Sequence, residues 1–253
     1  MIGMLQDKVA MITGAGSGIG KSTALLFARE GAKLMLAGPT TTKLEATAED
    51  IKEYNRDVIW QRMDQACADD VQQTVAETVN TFGRLDCAFN NGAVDGLLAP
   101  TAEYPEEEWD RVVAINLKGV WNCLRFQIPA LLNNGGGSIV NNGSAMGAVG
   151  IADMPAYIAS KAGVIGLTRA AALDYSAKGV RINVLLTGAI NTAMTSEMLR
   201  DHPEIAERMR ESKPIGRLGE PEEVAQAALW LCSERSSYVT AAAIPVDGGF
   251  LAQ

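Results

Sequence analysis

Tyr157 and Lys161 stand four residues apart in the stretch AYIASK. In a helix that spacing sets both side chains on one face, a single turn apart. A phenol with a pKa near ~10 is a poor proton donor or acceptor at neutral pH. A cation held beside it stabilises the phenolate and lowers that pKa. The pair has the composition of an acid–base site, and also that of an ordinary surface contact, so the rest of the chain decides. His202 is the single histidine and lies in the polar stretch RDHPEI, where it reads as a solvated residue at a helix boundary. A Ser-His-Asp hydrolase would have to use it, and a zinc site would have few nitrogen ligands to choose from. No metal is expected, and acid–base work near neutral pH falls to other side chains with shifted pKa values.

A second stretch points to a ligand. The apolar run KVAMIT (8–13) leads into TGAGSGIG (13–20), where a helix starts. Gly14 allows a tight turn, and Gly18 and Gly20 remove side chains where a pyrophosphate or the strand must come close. The helix N-terminus offers free N–H groups and a positive dipole end to phosphates. A glycine turn in that context predicts nucleotide binding.

The elements that must position these residues alternate along the chain. Short apolar runs at 8–13, 33–37, 57–63, 85–90, 137–142, 181–186 and 242–246 read as strands, several of them nearly all apolar, as parallel strands covered on both faces are. Helical patterns fall between them at about 19–30, 41–54, 68–82, 106–131, 155–178 and 221–233. The alternation predicts an α/β fold: a doubly wound, Rossmann-type parallel sheet of about seven strands with helices on both faces, ligands binding at the carboxyl ends of the strands. With 253 residues and no linker, low-complexity run or internal repeat, residues 1–253 read as one catalytic domain.

The formal net charge is −8, which disfavours nucleic acid and anionic membrane surfaces as partners. No apolar run is long enough to span a bilayer. The start, MIGMLQDKVAMITGAG, has neither a basic region nor a cleavable apolar stretch, so no signal peptide is expected. Cys67, Cys87, Cys123 and Cys232 are scattered and read as buried free thiols of a cytoplasmic protein. The stretches 111–132 and 156–174 are apolar around most of a helix circumference, and the second is rich in Ala and Gly. Their outer faces are expected to bury against further copies of the chain, as a homo-oligomer, dimer or tetramer.

The G-x-x-x-G-x-G spacing resembles the short-chain dehydrogenase/reductase family, and other stretches agree in order across essentially the whole chain. FNNGA (89–93) is similar to the family's Asn-Asn-Ala-Gly stretch, and Asn116 in AINLKGV to its helix asparagine. Ser144 lies thirteen residues before Tyr157, and AYIASK carries the Tyr-x-x-x-Lys motif. TGAINTAM (187–194) and VDGGF (246–250) resemble its later segments. The resemblance implies an oxidoreductase that moves a hydride between a nicotinamide cofactor and a ketone or secondary alcohol. Tyr157 would then be the general acid or base, Lys161 would lower its pKa and bind the nicotinamide ribose, and Ser144 would donate to the substrate oxygen. Asn116 would hold a water that links Lys161 to solvent. Cofactor contacts carried over are Gly14, Ser17, Gly18, Ile19, Gly20, Gly38, Asp64, Gln65, Asn90, Gly92, Tyr157, Lys161, Gly188, Ile190 and Thr192. Two alternatives are a reductase of 3-oxoacyl chains on a carrier protein and a nucleotide-binding regulator that has lost catalysis. Arg208, Arg210 and Lys213 are the residues that a docking patch for an acidic carrier would use.

The chain departs from the family pattern at three places: Gly92-Ala93 reverses Ala-Gly, Thr187 replaces a proline, and Gly38-Pro39 replaces a charged residue after the second strand. At Gly38 no carboxylate repels a 2′-phosphate, while Thr40, Thr41, Thr42 and Lys43 offer donors at a helix start. Both NADP and NAD are expected to serve, with a narrow lean to NADP. A mobile cover at about 188–215 is expected over the site. Ser144, Met146, Ile151, Tyr157 and Met194, with Met154 and Met198, are the candidate walls of an apolar pocket for a compact or cyclic ketone.

Overall fold

The computed structural model describes residues 3–193, 195–196 and 212–253. Met194, Met198, His202, Arg208, Arg210 and most of the expected cover lie outside them. The strands are β1 (Val9–Thr13), β2 (Lys33–Gly38), β3 (Val58–Arg62), β4 (Cys87–Asn90), β5 (Gly137–Asn142), β6 (Val180–Thr187) and β7 (Ala243–Val246). They form one parallel sheet in the order β3-β2-β1-β4-β5-β6-β7, so the chain reverses its direction of travel between β1 and β4. The expected doubly wound sheet is the observed one, with strand limits within a residue or two of those read from the sequence.

Period-2 alternation divides the apolar side chains between two cores. Ala10, Ile12, Leu34, Leu36 and Phe89 pack on one face, beneath α1 (Gly18–Arg29), α2 (Thr41–Lys52) and α7 (Pro221–Cys232). Met11, Met35, Ala88, Ile139 and Val184 pack on the other, beneath α3 (Ala68–Phe82), α5 (Gly119–Asn133) and α6 (Pro155–Tyr175). Both faces of each central strand are covered, which is why the strand runs carry so few polar residues.

The helical pattern at 106–131 is not one regular helix. It divides into α4 (Glu106–Val113), a π-helical turn at Ala114–Lys118, and α5. The wide turn carries Asn116 inward to 1% exposure. Helix α6 lies close over that turn because Gly163 leaves room: a Cβ there would stand 2.8 Å from a Leu117 methyl. Pro155 occupies the first turn of α6, where its missing N–H is no loss, and this fixes the start of the helix that carries Tyr157.

Of the cysteines, Cys87, Cys123 and Cys232 are buried free thiols, but Cys67 is exposed, because it precedes the first turn of α3 at the surface. On α6 the outward positions Ala159, Ala162, Gly166, Ala170 and Leu173 form an exposed stripe of mostly small residues. On α5, Trp121 is exposed with the Arg125 guanidinium 5.5 Å from its ring centre. No helix among the described residues is long and apolar enough to cross a membrane.

Candidate active site

Strand register brings four polar strand ends to one edge of the sheet. Asn90 pairs with Asn141, Asn142 with Leu185, and Thr187 with Val246, so the residues after β1, β4, β5 and β6 lie side by side. A continuous run of hydrogen bonds joins them. The Thr13 hydroxyl oxygen accepts from the N–H groups of Asn91 and Gly92, each at 3.0 Å. The Asn91 amide donates to the Thr13 carbonyl at 3.3 Å, and its oxygen accepts from the Asn142 amide at 2.9 Å. The Thr187 hydroxyl donates to Asn142 Oδ1 at 2.5 Å. The belt ends on the Asn142 carbonyl, which accepts from Lys161 Nζ at 2.8 Å.

Lys161 is 3% exposed, and its Nζ stands 5.8 Å from the centre of the Tyr157 ring. Burial lowers the Lys161 pKa to about 8, against the pull of the Asp95 carboxylate. Tyr157 moves opposite to the expectation from Lys161. Burial of the phenol pushes its pKa up to about 12, the Ser144 hydroxyl works against that rise, and the negative charge of Asp95 adds to it. In the chain alone Tyr157 is therefore a held proton donor. Ser144 opens a single 3-10 turn after β5, and its Oγ accepts from the Met146 N–H at 3.1 Å. A hydroxyl that accepts from the backbone keeps its own O–H to donate outward. Gly147 lets this turn lie against α6, since a Cβ there would come within 2.8 Å of the Lys161 backbone.

Asn116 is held by a different set of bonds. Its amide accepts from Val94 N–H at 2.9 Å, donates to the Val94 carbonyl at 2.7 Å, and reaches the Ser160 hydroxyl at 3.4 Å. The side chain thus fastens the loop after β4 to the helix that carries Lys161.

A dinucleotide fits the glycine turn. Gly14 and Gly18 have φ of +65° and +51°, which glycine adopts without strain. A Cβ on Gly18 would project to 3.2 Å from a Thr192 methyl, so the turn and the segment after β6 face each other across the space a pyrophosphate would take. Gly20 has another role: a Cβ there would strike the Gly14 carbonyl at 2.1 Å, and its absence lets α1 pack on the turn. The first turn of α1 contains no acidic residue, and Ser17 at its N-cap makes no side-chain capping bond, so the N–H groups of Gly18 and Ile19 face the same space.

Other residues expected at the cofactor lie elsewhere or act through the backbone. Gln65 is buried, its amide donating to the Gly92 and Ile115 carbonyls at 2.8 Å each, as a clamp between the loop after β4 and the π turn. The Asn90 side chain lies in the core, its amide donating to Gln127 and Asn141 at 3.0 Å each. The Ile190 side chain joins a hydrophobic core beside Gly219, and Gly188 is small because Asp247 packs against it. Asp64 is exposed at the end of β3, where its Oδ1 accepts from Ala66 N–H at 2.9 Å. Gly38 has room for a side chain, with nothing nearer than 3.6 Å to a Cβ there.

On the substrate side, Met146 and Met154 are half-buried and Ile151 is exposed on the segment before α6. The sequence reading missed Asp95, Asn91 and Asn142. The paired asparagines at 90–91 and 141–142 are a visible signal, but their meaning depends on β4 and β5 being neighbours.

Residues 14–251 match the family model described as enoyl-(acyl carrier protein) reductase. The chain is 41% identical over 250 residues to cyclohexanol dehydrogenase of Acinetobacter sp. (strain SE19), covering 99% of this chain and 97% of that protein. The crystal structure of levodione reductase superposes with a TM-score of 0.94 at 38% identity, covering 98% of this chain and 99% of that one. The NAD⁺-bound structure of xylitol dehydrogenase gives 0.94 at 30% identity over 97% and 99%. With likeness of this extent over nearly its full length, the chain belongs to the short-chain dehydrogenase/reductase family of nicotinamide-dependent oxidoreductases.

Proposed function

We propose that the chain interconverts a compact, apolar secondary alcohol and its ketone, with Tyr157 moving the proton. The observation that carries this is the buried Tyr157–Lys161 pair beside a Ser144 hydroxyl whose O–H is left to donate. The glycine turn, α1 and Thr192 hold the dinucleotide, and the nicotinamide, when bound, supplies or accepts the hydride. Ser144 donates to the substrate oxygen and stabilises charge developing there. In reduction Tyr157 gives its proton to that oxygen, the direction its raised pKa favours in the chain alone. In oxidation it takes the proton, and the Lys161 ammonium offsets part of the burial that opposes the phenolate. Asn116 sets the spacing between the loop after β4 and α6, and its π turn is where a water linking Lys161 to solvent would sit.

The likeness to cyclohexanol dehydrogenase supports a small cyclic substrate. A reductase of carrier-bound acyl chains is the second reading, favoured by the description of the matching family model. It has less support on the surface, because Lys213 is only 7% exposed and is not a docking residue. A regulator without catalysis would not need the Ser144–Tyr157–Lys161 arrangement. The exposed small-residue stripe of α6 and Trp121 on α5 suit a homo-oligomer, dimer or tetramer. Sedimentation at the mass of one chain, 26.8 kDa, would overturn that.

Turnover of cyclohexanol or cyclohexanone with either cofactor tests the reaction, and Tyr157→Phe tests the assignment. The variant is expected to lose about 100-fold or more in kcat while cofactor binding, read by fluorescence, stays within about threefold. Retained turnover in Tyr157→Phe would refute the role.

For the cofactor, we infer that both NADP and NAD serve, with NADP narrowly preferred. Gly38 presents no carboxylate to a 2′-phosphate, and Thr40 at the N-cap of α2 makes no side-chain capping bond, leaving its hydroxyl and the first-turn N–H groups for an anion. Gly38→Asp fits the space, and is expected to lower kcat/KM for NADP by roughly tenfold or more relative to NAD. An unchanged ratio would mean that Gly38 does not border the ribose.

A further inference from the structure

Residues 94–99 form a fixed wall beside the catalytic pair. Asn116 binds both backbone groups of Val94, at 2.9 and 2.7 Å. Gly96 turns at φ +86°, where a Cβ would stand 2.6 Å from the Tyr104 hydroxyl. That hydroxyl accepts from Leu97 N–H at 3.3 Å. Ala99 N–H donates to the Asp153 carbonyl at 2.9 Å, which ties the wall to the segment just ahead of Pro155 and Tyr157. Leu97 and Leu98 on this wall, and Val149 and Ile151 on the facing segment, are all exposed, so the entrance to the site is apolar on both sides.

Asp95 stands in that apolar entrance. It makes no hydrogen bond or ion pair among the described residues, yet its charge reaches both Tyr157 and Lys161. A carboxylate in this position opposes formation of the phenolate and is itself partly desolvated. Nothing in the packing of the loop needs it, because the loop is held by backbone bonds and by Asn116 and Tyr104. A charged acceptor with no protein partner, placed at a fixed height beside the reacting group, is what a substrate donor would meet.

We propose that Asp95 accepts a hydrogen bond from a second hydroxyl of the substrate, so that the site selects compact cyclic diols, and the hydroxyketones they give, over simple cyclic alcohols. The inference rests on the reading that Tyr157 serves a secondary alcohol. The first carbinol reacts as proposed above, and the second hydroxyl is bound and unchanged.

The test compares cyclohexanol with cyclohexane-1,2-diol and cyclohexane-1,4-diol for the wild-type chain, Asp95→Ala and Asp95→Glu. The wild-type chain is expected to favour at least one diol in kcat/KM by roughly tenfold or more, as a hydrogen bond to a charged group gives. Asp95→Ala is expected to erase that ratio, chiefly through KM for the diol, and Asp95→Glu to keep part of it. No diol preference in the wild-type chain, or an equal loss for diol and cyclohexanol in Asp95→Ala, overturns the proposal. Calorimetric binding of the same diol to the cofactor-loaded proteins separates it from the reaction itself. If no alcohol is turned over, the proposed reaction fails, while diol binding weakened by Asp95→Ala still supports this assignment and unaltered binding refutes it.

Discussion

An ammonium group buried among strand ends is the constraint on which this site depends. Removing a charge from water is costly unless the structure supplies partners in its place. Lys161 receives one short bond, from the Asn142 carbonyl. That carbonyl is useful only if β5 ends at a fixed height, and the side chain of the same residue secures this: Asn91 holds its amide nitrogen and Thr187 its amide oxygen. The belt reaches back through Asn91 to Thr13 at the mouth of the glycine turn. Cofactor cradle and proton-handling pair are thus parts of one polar edge.

Two of the three departures from the family pattern have physical reasons in this edge. A proline at 187 has no hydroxyl to give, whereas Thr187 donates to Asn142 and so fixes the residue that holds Lys161. Gly92 stands where a Cβ would fall 2.3 Å from Gln65 Oε1, so the order Gly92-Ala93 belongs with the Gln65 clamp between the loop and the π turn. At the third, Gly38, the structure leaves open space.

The sheet and the helix positions could be read from the chain because they rest on local pattern: apolar runs of strand length, glycine and proline at boundaries, and helical periodicity between them. The π turn was hidden, since apolar spacing continues through 106–131 and only Asn116 interrupts it. At the site, Ser144, Tyr157 and Lys161 were recognisable from motif spacing, and the structure brings them together. Gln65 and Asn90 were assigned to the cofactor because they sit at strand ends, but their amides point into the molecule. Asn142 and Asp95 escaped notice because their roles arise from which strands and loops become neighbours. The direction of the Tyr157 shift was also missed, because spacing reports a nearby lysine and says nothing of how deeply the phenol is buried.

Direct titration of Lys161 tests the central claim that a buried, proton-poised amine organises the site. In protein labelled at the lysine ε-carbon, the Lys161 resonance can be identified by its loss in Lys161→Met and followed with pH by NMR. A titration near 8, well below the ordinary value of 10.5, is the result this structure requires. A midpoint at the ordinary value would mean that the amine is solvated, that the Asn142 carbonyl does not hold it in the interior, and that the account is wrong.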